Sequence, residues 1–168
     1  NNRVLPQTRC VKAEEREPVY DTLRELVVQG RQGMIIWPVI NGKDSIDVKQ
    51  ALQMASAIQG RYLPNVRMAV YCSSMRTEER LKVFEAYQNK RIDVLLCTTI
   101  IEDTPTVGNS TMIIVEKAER SDVMRLHRLR GHLSNSHYPS ECVYVFSDDA
   151  NEDAVALVER VCEESDGF

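Results

Sequence analysis

Lys117, Arg120, Arg125, Arg128 and Arg130 fall within residues 117–132, where only Glu119 and Asp122 oppose them. It is the one stretch of this chain where a phosphate backbone would feel attraction. At ~100° per residue, Val123, Leu126, Leu129 and Leu133 form the buried stripe of a helix there. Arg125, Arg128 and His132 then share another side as a compact cationic ridge. Arg130 projects on the apolar side, between Leu126 and Val123. A guanidinium in that position needs a carboxylate or several carbonyls, because removing the partner of a buried charge costs about 3–5 kcal/mol. Glu102 and Glu116 are candidate partners. Arg130 either snorkels past the helix end into a structural ion pair or organises a phosphate-facing site.

Other chemistries find less support. His127, His132 and His137 are spaced by five residues, so His127 and His132 do not share a helix face, and no metal site is expected. Gly42-Lys43 lacks the rest of a phosphate loop: Trp37 stands where its first glycine would be, and Asp44 follows the lysine. No Gly-x-Gly-x-x-Gly and no Gly-x-Ser-x-Gly occurs, which removes the dinucleotide-fold and nucleophile-elbow readings. Asp148-Asp149 reads as a solvated helix entry rather than a metal site.

The remaining composition bounds the class. A hydrophobic fraction of 43% with 27% charged residues is that of a globular protein, and 168 residues make one domain of ordinary size. The formal net charge of −4 argues against nucleic acid wrapping the whole surface. Neither a signal peptide nor a bilayer-spanning run is legible, so a cytoplasmic location is expected. Cys10, Cys72, Cys97, Cys142 and Cys162 lie far apart without a Cys-x-x-Cys pair, which fits free thiols in a reducing compartment.

Strands are expected at 34–40, 67–72, 92–98, 111–116 and 142–146, alternating with helices at 17–30, 47–60, 77–90, 121–131 and 151–163. Pro18 suits the first helix's opening turn and Gly30 its left-handed end; Tyr20, Leu23, Leu26 and Val27 share its face. Asp47 caps the second helix, which should bury Ala51, Leu52, Ala55 and Ile58. Leu81, Phe84 and Tyr87 or Gln88 line the third; Asn151 caps the last, with Val155, Val158 and Val161 or Cys162 inward. Regular alternation with near-continuously apolar strands predicts an α/β fold, a parallel sheet of about five to six strands with helices on both faces. Residues 1–13 read as an extended arm, an edge strand or a linker, and 14–168 as the domain.

The runs Ile92-Asp93-Val94-Leu95-Leu96-Cys97-Thr98-Thr99-Ile100-Ile101-Glu102, Met112 through Arg120, and Leu126-His127-Arg128-Leu129-Arg130-Gly131 together resemble RecG, a superfamily 2 DNA helicase. Trp37-Pro38-Val39-Ile40, Met75-Arg76-Thr77-Glu78-Glu79 and Asp166-Gly167-Phe168 extend the likeness over nearly the whole chain. The resemblance implies a RecA-like helicase C-terminal lobe, residues 1–13 an interlobe connector, and the chain a fragment of a longer protein. It implies DNA and the first RecA-like lobe of the same protein as partners, with ATP and Mg²⁺ used by the full-length family member. It also implies backbone contacts from Arg76, Thr98, Thr99 and Arg125, and Arg128, Arg130, His132 and Asn135 facing the interlobe cleft.

The chain departs from the family's motifs. Where the sixth motif carries Gln-x-x-Gly-Arg-x-Gly-Arg, this sequence has Arg128 through Asn135, so His132 and Asn135 replace both phosphate-reaching arginines. An arginine finger contributes on the order of 10³–10⁵ in rate in phosphoryl transfer, which a mostly neutral histidine and an asparagine cannot supply. Thr104-Pro105-Thr106-Val107-Gly108 stands for Gly-Val-Asp-Val-Pro, and Cys72-Ser73-Ser74-Met75 for His-Gly-Arg-Met. Two readings follow: a lobe of an ATP-dependent DNA translocase whose own catalytic motifs are eroded, or a catalytically silent regulatory or interaction module. In both, this chain alone binds no cofactor and hydrolyses no ATP.

Overall fold

The computed structural model describes residues 6–39, 46–99, 109–133 and 138–166, with residues 130–133 and 164–166 described by backbone alone. Six strands, β1 (Gln7–Val11), β2 (Gln32–Ile36), β3 (Met68–Cys72), β4 (Val94–Thr98), β5 (Ser110–Val115) and β6 (Glu141–Val145), form one sheet in the order β1-β6-β5-β2-β4-β3. Every pairing is parallel. Five α-helices among the described residues cover it: α1 (Arg16–Val28), α2 (Val48–Tyr62), α3 (Thr77–Gln88), α4 (Val123–Leu133) and α5 (Glu152–Asp166).

Side-chain alternation along the strands divides the core in two. Ile35, Leu96, Ile114 and Val143 face Val19, Tyr20 and Leu23 of α1 and Ala51 and Ala55 of α2. Met34, Ile36, Leu95, Ile113 and Tyr144 face Tyr87 of α3, Leu126 and Leu129 of α4, and Val158 and Cys162 of α5. Every residue of β2, β4 and β5 is buried, which is why these strands read as unbroken apolar runs. The stretch expected as an arm, edge strand or linker contributes β1, in register with β6 from Gln7 opposite Glu141 to Val11 opposite Val145.

The expected punctuation is present. Asp47 accepts from the Gln50 amide at 2.7 Å while the Gln50 side chain accepts from the Asp47 amide at 3.0 Å. Asn151 accepts from the amides of Asp153 and Ala154. Gly30 takes φ +87° at the end of α1, where Arg31 N–H returns to the Leu26 carbonyl at 2.9 Å. Two expected core residues are exposed. Leu52 is 53% and Leu81 62% exposed, because α2 and α3 lie toward the β3 edge, where less of each helix is covered.

A polar network ties the amino ends of the strands together. Buried Gln32 donates to the carbonyls of Tyr87 and Ile92 at 2.6 and 2.7 Å and accepts from Asn109 Nδ2 at 3.1 Å. The Tyr87 hydroxyl donates to the Gly33 carbonyl at 3.0 Å and pairs with the Ser110 hydroxyl at 2.6 Å. Burial pushes the Tyr87 phenol well above its ordinary range, so it stays a donor.

Gly33 lies where α1 crosses β2. A methyl group there would collide with Leu23 Cδ1 and press within 3.2 Å of the Met112 carbonyl oxygen. Gly33→Ala is expected to destabilise the domain by about 1–3 kcal/mol, read as a lower urea midpoint with an unchanged m-value.

Candidate nucleic-acid interface

At the carboxyl ends of β3 and β4, Tyr71, Ser73, Thr77, Arg80, Leu81 and Thr99 line an open pocket of about 330 Å³. The turn after β3 is closed by Met75 N–H on the Cys72 carbonyl at 3.1 Å and anchored by buried Met75. It delivers the chain into α3 through Arg76, whose extended backbone caps the helix. One turn in, Arg80 folds back: its guanidinium donates to the Ser73 carbonyl at 3.0 Å and to Thr77 Oγ1 at 3.4 Å. The wall of the pocket is thus a pinned, permanently charged fork beside hydroxyl groups. Such an arrangement suits one anionic oxygen group. It holds no paired nucleophile and base and no carboxylate for a metal.

Arg80 lies just beyond the Met75–Glu79 run and is not among the residues expected at a site. Its signal was its place three residues beyond Thr77, on the same helix face. Thr99 lines the pocket while only 1% exposed. Thr98, expected beside it as a backbone contact, is fully buried, because strand alternation turns its side chain the other way. Its hydroxyl rests by the Cys72 thiol, which burial raises and that hydroxyl lowers. Arg76 is exposed outside the pocket lining and pairs with Glu79 at 2.7 Å. Arg125 is half-buried and Arg128 exposed on α4, across the sheet's other face from α1. Arg130 and His132 belong to α4 by backbone alone, and Asn135, Glu102 and residues 104–108 lie outside the described residues.

A second polar group sits at the carboxyl end of β5. Glu116 is 3% exposed, and Arg16 Nε reaches its two carboxylate oxygens at 3.0 and 2.9 Å, with the Tyr20 hydroxyl donating at 3.4 Å. Tyr20 stacks on Tyr62 with ring centroids 4.7 Å apart. Burial raises the Glu116 carboxyl above its ordinary range, and Arg16 and then Tyr20 oppose that rise without cancelling it. The partner sought at Arg130 is therefore supplied, for Glu116, by Arg16 at the start of α1. Next along, Lys117 takes φ +49° and sets its Nζ 4.9 Å from the Trp37 ring centroid.

Among the described residues no group of three or more histidine, cysteine, aspartate or glutamate side chains could hold a metal ion. No helix among them is long and apolar enough to cross a membrane.

The profile of the helicase conserved C-terminal domain matches residues 18–133. An ATP-dependent DNA helicase RecG from Synechocystis is 31% identical over 162 residues, 96% of this chain and 19% of that protein. The Thermotoga maritima protein of the same name is 28% identical, over 96% of this chain and 21% of its own length. The chain thus spans about a fifth of these relatives. The solved structure of RecG bound to a three-way DNA junction superposes with a TM-score of 0.73 at 22% identity, covering 97% of this chain and 22% of that one. A yeast DEAD-box splicing factor, Prp28, gives 0.71 at 15% identity, covering 99% and 34%. At these identities the structures establish the fold, which is RecA-like.

Replacing Arg16 by Met leaves the Glu116 carboxylate buried with only a tyrosine for company. A destabilisation of about 2–3 kcal/mol near neutral pH is expected, below the fully buried case because Arg16 is partly exposed. Since the folded Glu116 carboxyl already titrates above its unfolded value, its proton favours the fold. Without Arg16 the folded carboxyl is raised further still, so the variant's deficit should shrink as pH falls through the variant's own higher value and level off below the wild-type one; thermal melts across pH will read it.

Proposed function

The chain belongs to the helicase conserved C-terminal domain family, as a RecG-type lobe, and on that basis we propose that it grips the sugar–phosphate backbone of DNA as the second RecA-like lobe of an ATP-dependent helicase. The carrying observation is the pocket of Ser73, Thr77, Arg80 and Thr99 at the carboxyl ends of β3 and β4. Its fixed guanidinium and hydroxyls match a phosphate oxygen and carry no means of reading a base, so binding is positional rather than sequence-specific. Thr99 and Arg80 make the contact, Arg76 stands at its rim, and Arg125 adds charge from α4. Glu78 and Glu79 in the first turn of α3 oppose an anion there, so affinity for DNA is modest and salt-sensitive.

ATP and Mg²⁺ belong, in this reading, to the first lobe. The pocket has one arginine and no carboxylate, and Glu116 is engaged by Arg16, so neither suits a magnesium triphosphate. No step of hydrolysis is assigned to this chain. By the resemblance, Arg128, Arg130, His132 and Asn135 fall in the family's nucleotide-facing motif, where imidazole and amide in place of guanidinium would weaken any contribution to turnover. The relatives' name, ATP-dependent DNA helicase RecG, supports a role on DNA in repair or recombination. The silent-module reading draws on the same two replacements and on the net charge of −4.

Fluorescence anisotropy with a branched DNA at low salt separates the two readings. Arg80→Ala is expected to weaken binding about tenfold and to lower the salt slope by about one counterion, with Thr99→Val weaker by several-fold. A wild-type chain that fails to bind would leave the silent module, whereas an Arg80→Ala chain that binds equally well would remove the pocket from the interface. Mixed with ATP, Mg²⁺ and DNA, the 168-residue chain is expected to release no phosphate above background.

A further inference from the structure

β1 and α5 come from opposite ends of the sequence, and α5 packs along β1. Where they meet, the sulfurs of Cys10 and Cys162 stand 2.7 Å apart, one thiol donating to the other. The Thr8 hydroxyl donates to the Cys162 carbonyl at 3.4 Å, which fixes the helix against the strand at that level. A disulfide bond is ~2.05 Å long, so closure asks for a sulfur displacement of roughly 0.7 Å. Cys10 is half-buried at the sheet edge, whereas Cys162 is 7% exposed, so a reagent arrives at Cys10. The other thiols, Cys72, Cys97 and Cys142, are fully buried.

We propose that Cys10 and Cys162 are a thiol–disulfide switch that clips the edge strand to the last helix when the protein meets a low-molecular-weight disulfide such as oxidised glutathione. The Cys10 thiolate attacks one sulfur of the reagent, its proton having passed to water, and expels one glutathione thiolate. Cys162, likewise deprotonated, then attacks the Cys10 sulfur of the mixed disulfide and expels the second. Two protein thiols are oxidised and one glutathione disulfide is reduced to two glutathiones. The hydrogen bond with Cys162, then burial and the Glu159 carboxylate, push the Cys10 thiol well up. The thiolate is therefore scarce at neutral pH, and the switch responds to sustained oxidation rather than to a brief pulse. Closed, it joins residues 152 positions apart and removes that freedom from the unfolded chain.

The test oxidises the native 168-residue chain with excess glutathione disulfide, alkylates remaining thiols and maps peptides without reduction. A Cys10–Cys162 peptide is expected, with the intact mass lower by two hydrogens. Tm should rise on the order of 5–10 °C, and a reducing agent should reverse it. Amides of Gln7–Val11 should also exchange more slowly. Cys142→Ser should behave as wild type, and Cys10→Ser should form no internal bond. A Cys142–Cys162 link, a glutathione adduct that persists on Cys10, or a native chain that stays reduced while its unfolded form oxidises would each overturn the proposal. Should Cys10→Ser fold poorly, the wild-type peptide map decides alone.

Discussion

The central strands lie under helices on both faces, and that burial governs where everything else in the molecule can be. A residue in β2, β4 or β5 has no route to water, so these strands contribute methyl, methylene and sulfur atoms to two apolar layers. Polar chemistry is driven to the strand ends. At the amino ends Gln32, Tyr87, Ser110 and Asn109 satisfy one another and neighbouring carbonyls. At the carboxyl ends the arrangement differs, since Arg80 pins itself to the turn it overhangs yet still borders an open volume. One end of the sheet is a fastening, and the other carries an open pocket.

The carboxyl ends are themselves unequal. Glu116 is an ionisable group in a site nearly sealed from solvent, kept there by a guanidinium on two oxygens and a stacked pair of tyrosines. It fixes α1 over the end of β5, and its charge is spoken for internally. The pocket beside β3 carries the opposite balance, a positive group whose own partners are a neutral carbonyl and a hydroxyl. An anion meets attraction at one and a neutralised pair at the other.

Much of this was legible in the sequence. The strand and helix alternation, the Asp47 and Asn151 caps and the Gly30 stop are local, and local chemistry specifies them. What the sequence could not give was adjacency. Leu52 and Leu81 sit at helical spacing from buried neighbours, but how far cover extends around a helix depends on its distance from the sheet edge. Arg16 lies a hundred residues from Glu116, and only the parallel topology sets the start of α1 above the end of β5. Spacing rules likewise look for cysteines near one another, whereas Cys10 and Cys162 meet because the first strand and the last helix pack together. Thr98 and Thr99 are neighbours in sequence, yet strand alternation gives one to the interior and the other to the pocket.

Among the described residues the sheet also ends twice, at β1 and at β3, each hydrogen-bonded to a neighbour on one side only. An unpaired strand border is a template on which another chain can add, the first step toward fibrous aggregation. Both borders are just five residues long, and each carries an arginine at or beside it: Arg9, paired with Glu141, and Arg67, paired with Asp93. Brevity and these two guanidinium groups oppose such addition, because an incoming strand would strip the charges of water.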